Sequence, residues 1–216
     1  METQCLIFFI LFSVFLLAVS MAFPCPPEGF GGYCVIHANQ SYVQSLGIFA
    51  VIESQKNLTL LSVVEAQLQV QGTFNNYKLA ILVLEGGYSR VYEAIVQERN
   101  RARERLIKFE PLLPLSSSPP LYGVFHQTDT NATIIQHLGE SAVGNANDKY
   151  LSFLSVVEAQ VQVLNKIRNY RIAVQVLQIG YNRVYKAEVS VTENTAKIIS
   201  FKPLLPLVND YLSLSI

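Results

Sequence analysis

Apolar side chains recur at helical spacing from position 41 onward: Val43, Leu46, Ala50 and Val51. That spacing predicts one helix over about 41–56, with Ser41 as its N-cap and Asn57 near its end. Before it, 31–39 reads as a short extended segment. After it the period changes. Positions 63–71 alternate around Leu68 and Val70, and 77–84 are rich in β-branched and aliphatic residues. Glu85 to Tyr88 is a turn signal, 90–96 is a strand again, and 106–112 is the last strand. The predicted order is strand, helix, then four strands joined by hairpins. An antiparallel sheet of this kind can wrap a helix with one face and leave the other to solvent.

The whole pattern occurs twice. Leu61-Ser-Val-Val-Glu-Ala-Gln67 returns unchanged as Leu154-Ser-Val-Val-Glu-Ala-Gln160. Arg90-Val-Tyr-Glu-Ala94 matches Arg183-Val-Tyr-Lys-Ala187, and Phe109-Glu-Pro-Leu-Leu-Pro-Leu115 matches Phe201-Lys-Pro-Leu-Leu-Pro-Leu207. Three blocks in one order mean a tandem duplication, and its unit of about 90 residues is long enough to be a domain. The second helix, about 133–147, is weaker. Gly139 and Gly144 each cost roughly 1 kcal/mol of helix propensity relative to Ala, so the second copy is expected to be the less stable.

The first residues fall outside this pattern. Leu6 to Val19 is almost wholly apolar, too short for a comfortable membrane span and suited to a signal-peptide core. Ser20-Met-Ala22 supplies small residues for cleavage. The expected organisation is a signal peptide at 1–22, one domain at 23–115, a Pro/Ser linker at 116–120, a second domain at 121–208 and a tail at 209–216. The mature protein is expected to be secreted, to the extracellular space or a vacuole, and to be clear of the membrane once the signal is removed.

Sixteen basic and sixteen acidic residues balance, so nothing argues for a nucleic-acid partner. Signal removal leaves Cys25 and Cys34, an even pair that suggests one disulfide in a secreted chain. It would either constrain the segment around Gly31 and Gly32 or act as a stability clasp. Asn39, Asn57 and Asn131 open three glycosylation sequons. His37, His126 and His137 have no ligand-like spacing, so no metal site is proposed, and no cofactor. No phosphate loop, nucleophile elbow or shared His-Cys or His-Ser pattern points to an enzyme.

Copy one resembles the plant cystatins, inhibitors of papain-like cysteine proteases. Gly31-Gly-Tyr33 resembles the family's N-terminal trunk. Leu46-Gly-Ile-Phe-Ala-Val-Ile-Glu-Ser-Gln55 resembles its helix signature, departing only at Gln55. Gln69-Val-Gln-Gly72 sits where the family carries its first hairpin loop. The resemblance spans Gly31 to Leu115, with a degenerate version over Gly123 to Leu207. It implies an α+β fold of two cystatin-like domains, each one helix wrapped by a four- to five-stranded antiparallel sheet. It also implies a secreted, reversible thiol protease inhibitor of the plant-defence kind, whose partners are papain-like cysteine proteases. Its protease-binding residues would be Gly31, Gly32, Leu68, Gln69, Val70, Gln71, Gly72 and Thr73.

Several residues depart from that pattern. Leu68 stands in the slot of the loop's glutamine, and Gln67 and Gln69 are each one residue off. A one-residue slip on a strand turns a side chain to the other face. The second loop, about 97–104, lacks the family's Pro-Trp, and the chain has no Trp at all. In copy two, Val161 and Asn165 replace the loop's Gln and Gly. These losses lower the expected affinity. They also leave an alternative: a cystatin-fold binding module without inhibition, with an unknown extracellular partner.

Overall fold

The computed structural model describes residues 32–99, 103–115, 123–193 and 195–207. The expected signal peptide, Cys25, Gly31, the linker at 116–120 and the tail at 209–216 lie outside them. The first repeat holds β1 (Cys34–Ile36), α1 (Ser41–Glu53), β2 (Thr59–Gln71), β3 (Phe74–Glu85), β4 (Tyr88–Arg99) and β5 (Arg103–Pro111). The second holds β6 (His126–Gln127), α2 (Thr133–Asn145), β7 (Leu151–Leu164), β8 (Ile167–Gln178), β9 (Tyr181–Val191) and β10 (Ala196–Pro203). Each repeat forms a five-stranded antiparallel sheet, ordered β1-β2-β3-β4-β5 and β10-β9-β8-β7-β6.

Each helix lies on one face of its own sheet. Val43, Leu46, Ala50 and Val51 of α1 pack on Val63, Ala66, Leu79, Ile81 and Val83. The helix stops at Glu53, earlier than the sequence pattern predicts, and Gln40 rather than Ser41 is its cap residue. No side chain caps it. Gly47 and Gly139 explain how closely the helices sit. A Cβ on Gly47 would lie 2.5 Å from Val63 Cγ2, and one on Gly139 would lie 2.4 Å from Val156 Cγ2. Gly139 is therefore a packing requirement of the second helix rather than a defect in it.

The other faces of the sheets are not solvated. Val64, Ala80, Val91 and Leu113 form a single core with Val157, Ala173, Val184 and Leu205 of the second sheet. The expected α+β pair of cystatin-like domains, each a helix wrapped by its own sheet, is thus corrected. The molecule is mostly β, with 58% of the described residues in strands and two five-stranded sheets. The reason lies in the central strands. Alternation around Leu68 and Val70 marks one apolar face, but Val64, Ala80 and Val91 make the opposite face apolar too. Such a face must find a cover, and the second repeat supplies it.

A bulge in each long strand makes this possible. The register of β2 against β3 shifts between Val63 and Glu65, and that of β7 against β8 between Val156 and Glu158. The extra residue sends Val63 toward the helix and both Val64 and Glu65 toward the other sheet. A glutamine from the helix bridges the main chain beside each bulge. Gln44 donates to the Val63 carbonyl at 3.0 Å and accepts from the Val63 N–H at 3.0 Å. Gln136 does the same for Val156 at 3.3 and 3.1 Å.

The three duplicated sequence blocks meet at the sheet-sheet contact. Glu65, fully buried, accepts from Arg183 Nε at 2.8 Å and from the Val184 N–H at 2.7 Å. Gln67 Nε2 donates to Glu65 at 2.9 Å and to the Leu205 carbonyl at 2.6 Å. The reciprocal set runs from the other repeat. Glu158 accepts from the Val91 N–H at 2.8 Å, and Gln160 Nε2 donates to the Leu113 carbonyl at 2.8 Å. Arg90 Nε lies 3.6 Å from Glu158, and Gln127 adds a donor at 3.2 Å. The contact is self-complementary, as a two-fold interface between identical subunits would be. His37 stacking on Tyr181 at 4.6 Å crosses it once more.

Candidate functional site

Three segments come together at one end of the first sheet. The β2–β3 hairpin turns at Gly72 and Thr73, and Phe74 pairs with Arg99 at the end of β4, which pairs in turn with Arg103 at the start of β5. Cys34 pairs with Leu68, which sends Gly32 and Tyr33 toward the same end. Gly72 adopts φ +58°, the left-handed region that favours glycine, and a side chain there would meet nothing within 4 Å. The turn selects glycine through the backbone, not through crowding.

The expected binding residues divide into two groups. Val70, Gln71, Gly72 and Thr73 are exposed at the hairpin tip, Val70 at 40%. Leu68 is not among them, because it packs against the helix-facing core. Gln69 is half-buried. Gln67, the other neighbouring glutamine, belongs to the sheet-sheet contact described above. Gly32 is half-buried beside Tyr33, whose ring lies 4.1 Å from Lys78 Nζ. Cys34 is disulfide-bonded, and its expected partner Cys25 lies outside the described residues, as does Gly31.

An amide network beneath the tip went unread in the sequence. Asn76 Nδ2 donates to Gln69 Oε1 at 3.2 Å and to Gln71 Oε1 at 3.4 Å, and its own oxygen accepts from Gln97 Nε2 at 3.0 Å. Asn76 is nearly buried. Its counterpart Asn169 binds Gln162 at 3.2 Å, so the pairing is repeated, and that repetition was the available signal. Deeper in, the buried Glu98 accepts from Tyr77 Oη at 3.3 Å and from Asn75 Nδ2 at 3.4 Å. Burial and the nearby Glu98 push the Tyr42 hydroxyl pKa up. Arg99, exposed at the end of β4, lies over the Phe74 ring 5.5 Å away and puts a cation beside the tip.

Asn39, Asn57 and Asn131 are all exposed. Asn39 precedes α1, Asn57 follows it, and Asn131 precedes α2, at the position matching Asn39. Among the described residues no group of three or more His, Cys, Asp or Glu is placed to hold a metal. No helix among them is long and apolar enough to cross a membrane.

Residues 36–112 match the family model of SQAPI, an aspartic acid proteinase inhibitor. The SQAPI-like stretch begins in β1 and ends just beyond β5, so it takes in the first sheet, its helix and its hairpin tip. No curated relative matches the chain. The match corrects the resemblance to plant cystatins, and with it the reading as a cysteine (thiol) protease inhibitor with papain-like partners. The physical reason is visible in the first repeat. Most of the helix signature that suggested cystatins is core-packing: Leu46, Gly47, Ala50 and Val51 are buried and Phe49 packs against the same core, while only Glu53 of the matched positions is exposed. It describes how a helix seats on a sheet, and inhibitors of different proteinases can share that. Two features that the resemblance implies for papain recognition were missing from the start: the loop glutamine, replaced by Leu68, and the Trp.

Proposed function

We propose that the chain is a reversible inhibitor of aspartic proteinases, acting through the end of its first sheet. The observation that carries this is the SQAPI match over residues 36–112, which coincides with the sheet bearing the tip. No catalysis is required of the chain. An aspartic proteinase works with two carboxyls that share a proton, and it processes extended peptide. The turn at Gly72 cannot extend through such a pair. The Asn76 network holds the tip in place before binding, so little loop entropy is lost on association. Val70 supplies an exposed apolar anchor, and Gln71 and Thr73 supply neutral hydrogen-bonding groups that leave no unpaired charge in a cleft. Gly32, at the same end of the sheet, would follow the tip in. Secretion through the segment at 1–22 would carry the protein to extracellular or vacuolar compartments, where acid proteinases work.

The test is residual activity of a pepsin-type proteinase at acidic pH, titrated with the purified protein. Stoichiometric loss of activity is expected, with papain unaffected in parallel. Full pepsin activity in the presence of excess folded protein overturns the reading.

A further inference from the structure

The sheet-sheet contact uses residues from the middle of the strands and leaves both hairpin ends uncovered. The second repeat therefore has its own free tip, and its construction repeats that of the first. Asn165 holds φ +55° where Gly72 holds φ +58°. Val163 pairs with Arg168 as Val70 pairs with Asn75, and is similarly exposed at 36%. Asn169 binds Gln162 beneath this tip as Asn76 binds Gln69.

The second tip is also braced by its own N-terminal segment. Gln162 Nε2 donates to the Gly123 carbonyl, and Gly123, at φ +97°, lies against Leu164. The neighbouring β9–β10 turn is closed by a 2.9 Å bond from the Thr192 N–H to the Thr195 carbonyl. Val163, Asn165 and Arg168 line a concavity there with Val191 and Thr192. Leu164 and Ile167 add exposed apolar surface at the tip.

We infer that this end is a second proteinase-binding edge, so that one chain holds two aspartic proteinase molecules. The inference rests on the functional reading above. What selects a proteinase as occupant is the duplication of a built tip. Lys166 and Arg168 are exposed beside Asn165, Lys166 paired with Glu193 at 3.3 Å, much as the exposed Arg99 flanks the first tip.

The experiment is a calorimetric titration of the full chain with a pepsin-type proteinase, with complex mass measured by light scattering. Two proteinases per chain are expected. Val70→Asp should leave one site, and Val163→Asp combined with Leu164→Asp should leave the other, with circular dichroism unchanged in both. A stoichiometry of one for the unaltered chain overturns the inference and leaves the function standing. Absence of any binding by the unaltered chain overturns both.

Discussion

Gly47 and Gly139 show how a single residue type is read differently in a sequence and in a fold. Helix propensity alone says that alanine would improve both positions. The structure reverses the sign, because a Cβ would press into Val63 or Val156, whose branched side chains have few rotamers to move to. Gly47→Ala and Gly139→Ala are each expected to destabilise the protein by about 1–3 kcal/mol, the usual range for overpacking. Urea denaturation checks this, and a raised midpoint for either variant would contradict the packing argument. Gly72 is the opposite case. There the space is open and only the backbone conformation matters, which is why a turn glycine could be recognised from the sequence.

At the scale of the element, the β2–β3 hairpin is held by more than its ladder. Asn76 takes up three amide hydrogen bonds beneath the tip and is 9% exposed. Asn76→Ala would leave Gln69 and Gln97 to find new partners and would loosen Val70. Stability should fall by about 1–3 kcal/mol. Inhibition of a pepsin-type proteinase should weaken roughly tenfold, mostly through faster dissociation. A variant that loses stability but inhibits as well as the original would show that the network serves the fold alone. The strands, their hairpins and both helices were legible in the sequence, because their apolar periods are local. The bulges at Val64 and Val157 were not. A bulge is fixed by what its two consecutive residues must face, and one of those faces belongs to the other repeat.

The whole molecule is held by a reciprocal lock. Truncating one partner of a buried ion pair strands the other, so Glu65→Ala is expected to cost about 3–5 kcal/mol. Replacing both residues with apolar ones of similar size, Glu65→Leu with Arg183→Met, should cost far less. The difference between the single and double variants in urea measures the coupling, and equal losses would show that the pair does not act as a unit. The lock also sets a pH dependence. Burial raises the carboxyl pKa of Glu65 above its ordinary 4.5, against the pull of Arg183 and the Val184 N–H. Burial raises Glu158 likewise, against the Val91 N–H and Arg90. A folded-state pKa above the unfolded one contributes stability that is complete below about 4.5 and is lost as pH rises through the folded value. The urea midpoint should therefore be higher near about pH 4 than near about pH 7, with Glu65→Gln flattening the change. Glu188 works the other way, since Lys186 holds its pKa low, but it is partly exposed and its share is smaller. A midpoint that falls steadily on acidification would refute this account. Stability in acid is what an inhibitor of acid proteinases needs.

The sequence by itself determined the duplication, the order of elements in each repeat and the turn at Gly72, since each is written in local spacing or in direct self-similarity. It did not determine what the duplicated blocks were for. Glu65, Gln67 and Arg183 read as polar residues within strands, because their partners lie more than a hundred positions away. Only the packing of one sheet on the other decides that these residues are buried, that the second face is core, and that the molecule is mostly β rather than two solvated helix-on-sheet units. The cystatin resemblance failed for a related reason. It rested chiefly on residues that seat a helix on a sheet, and such residues record a core and not a target.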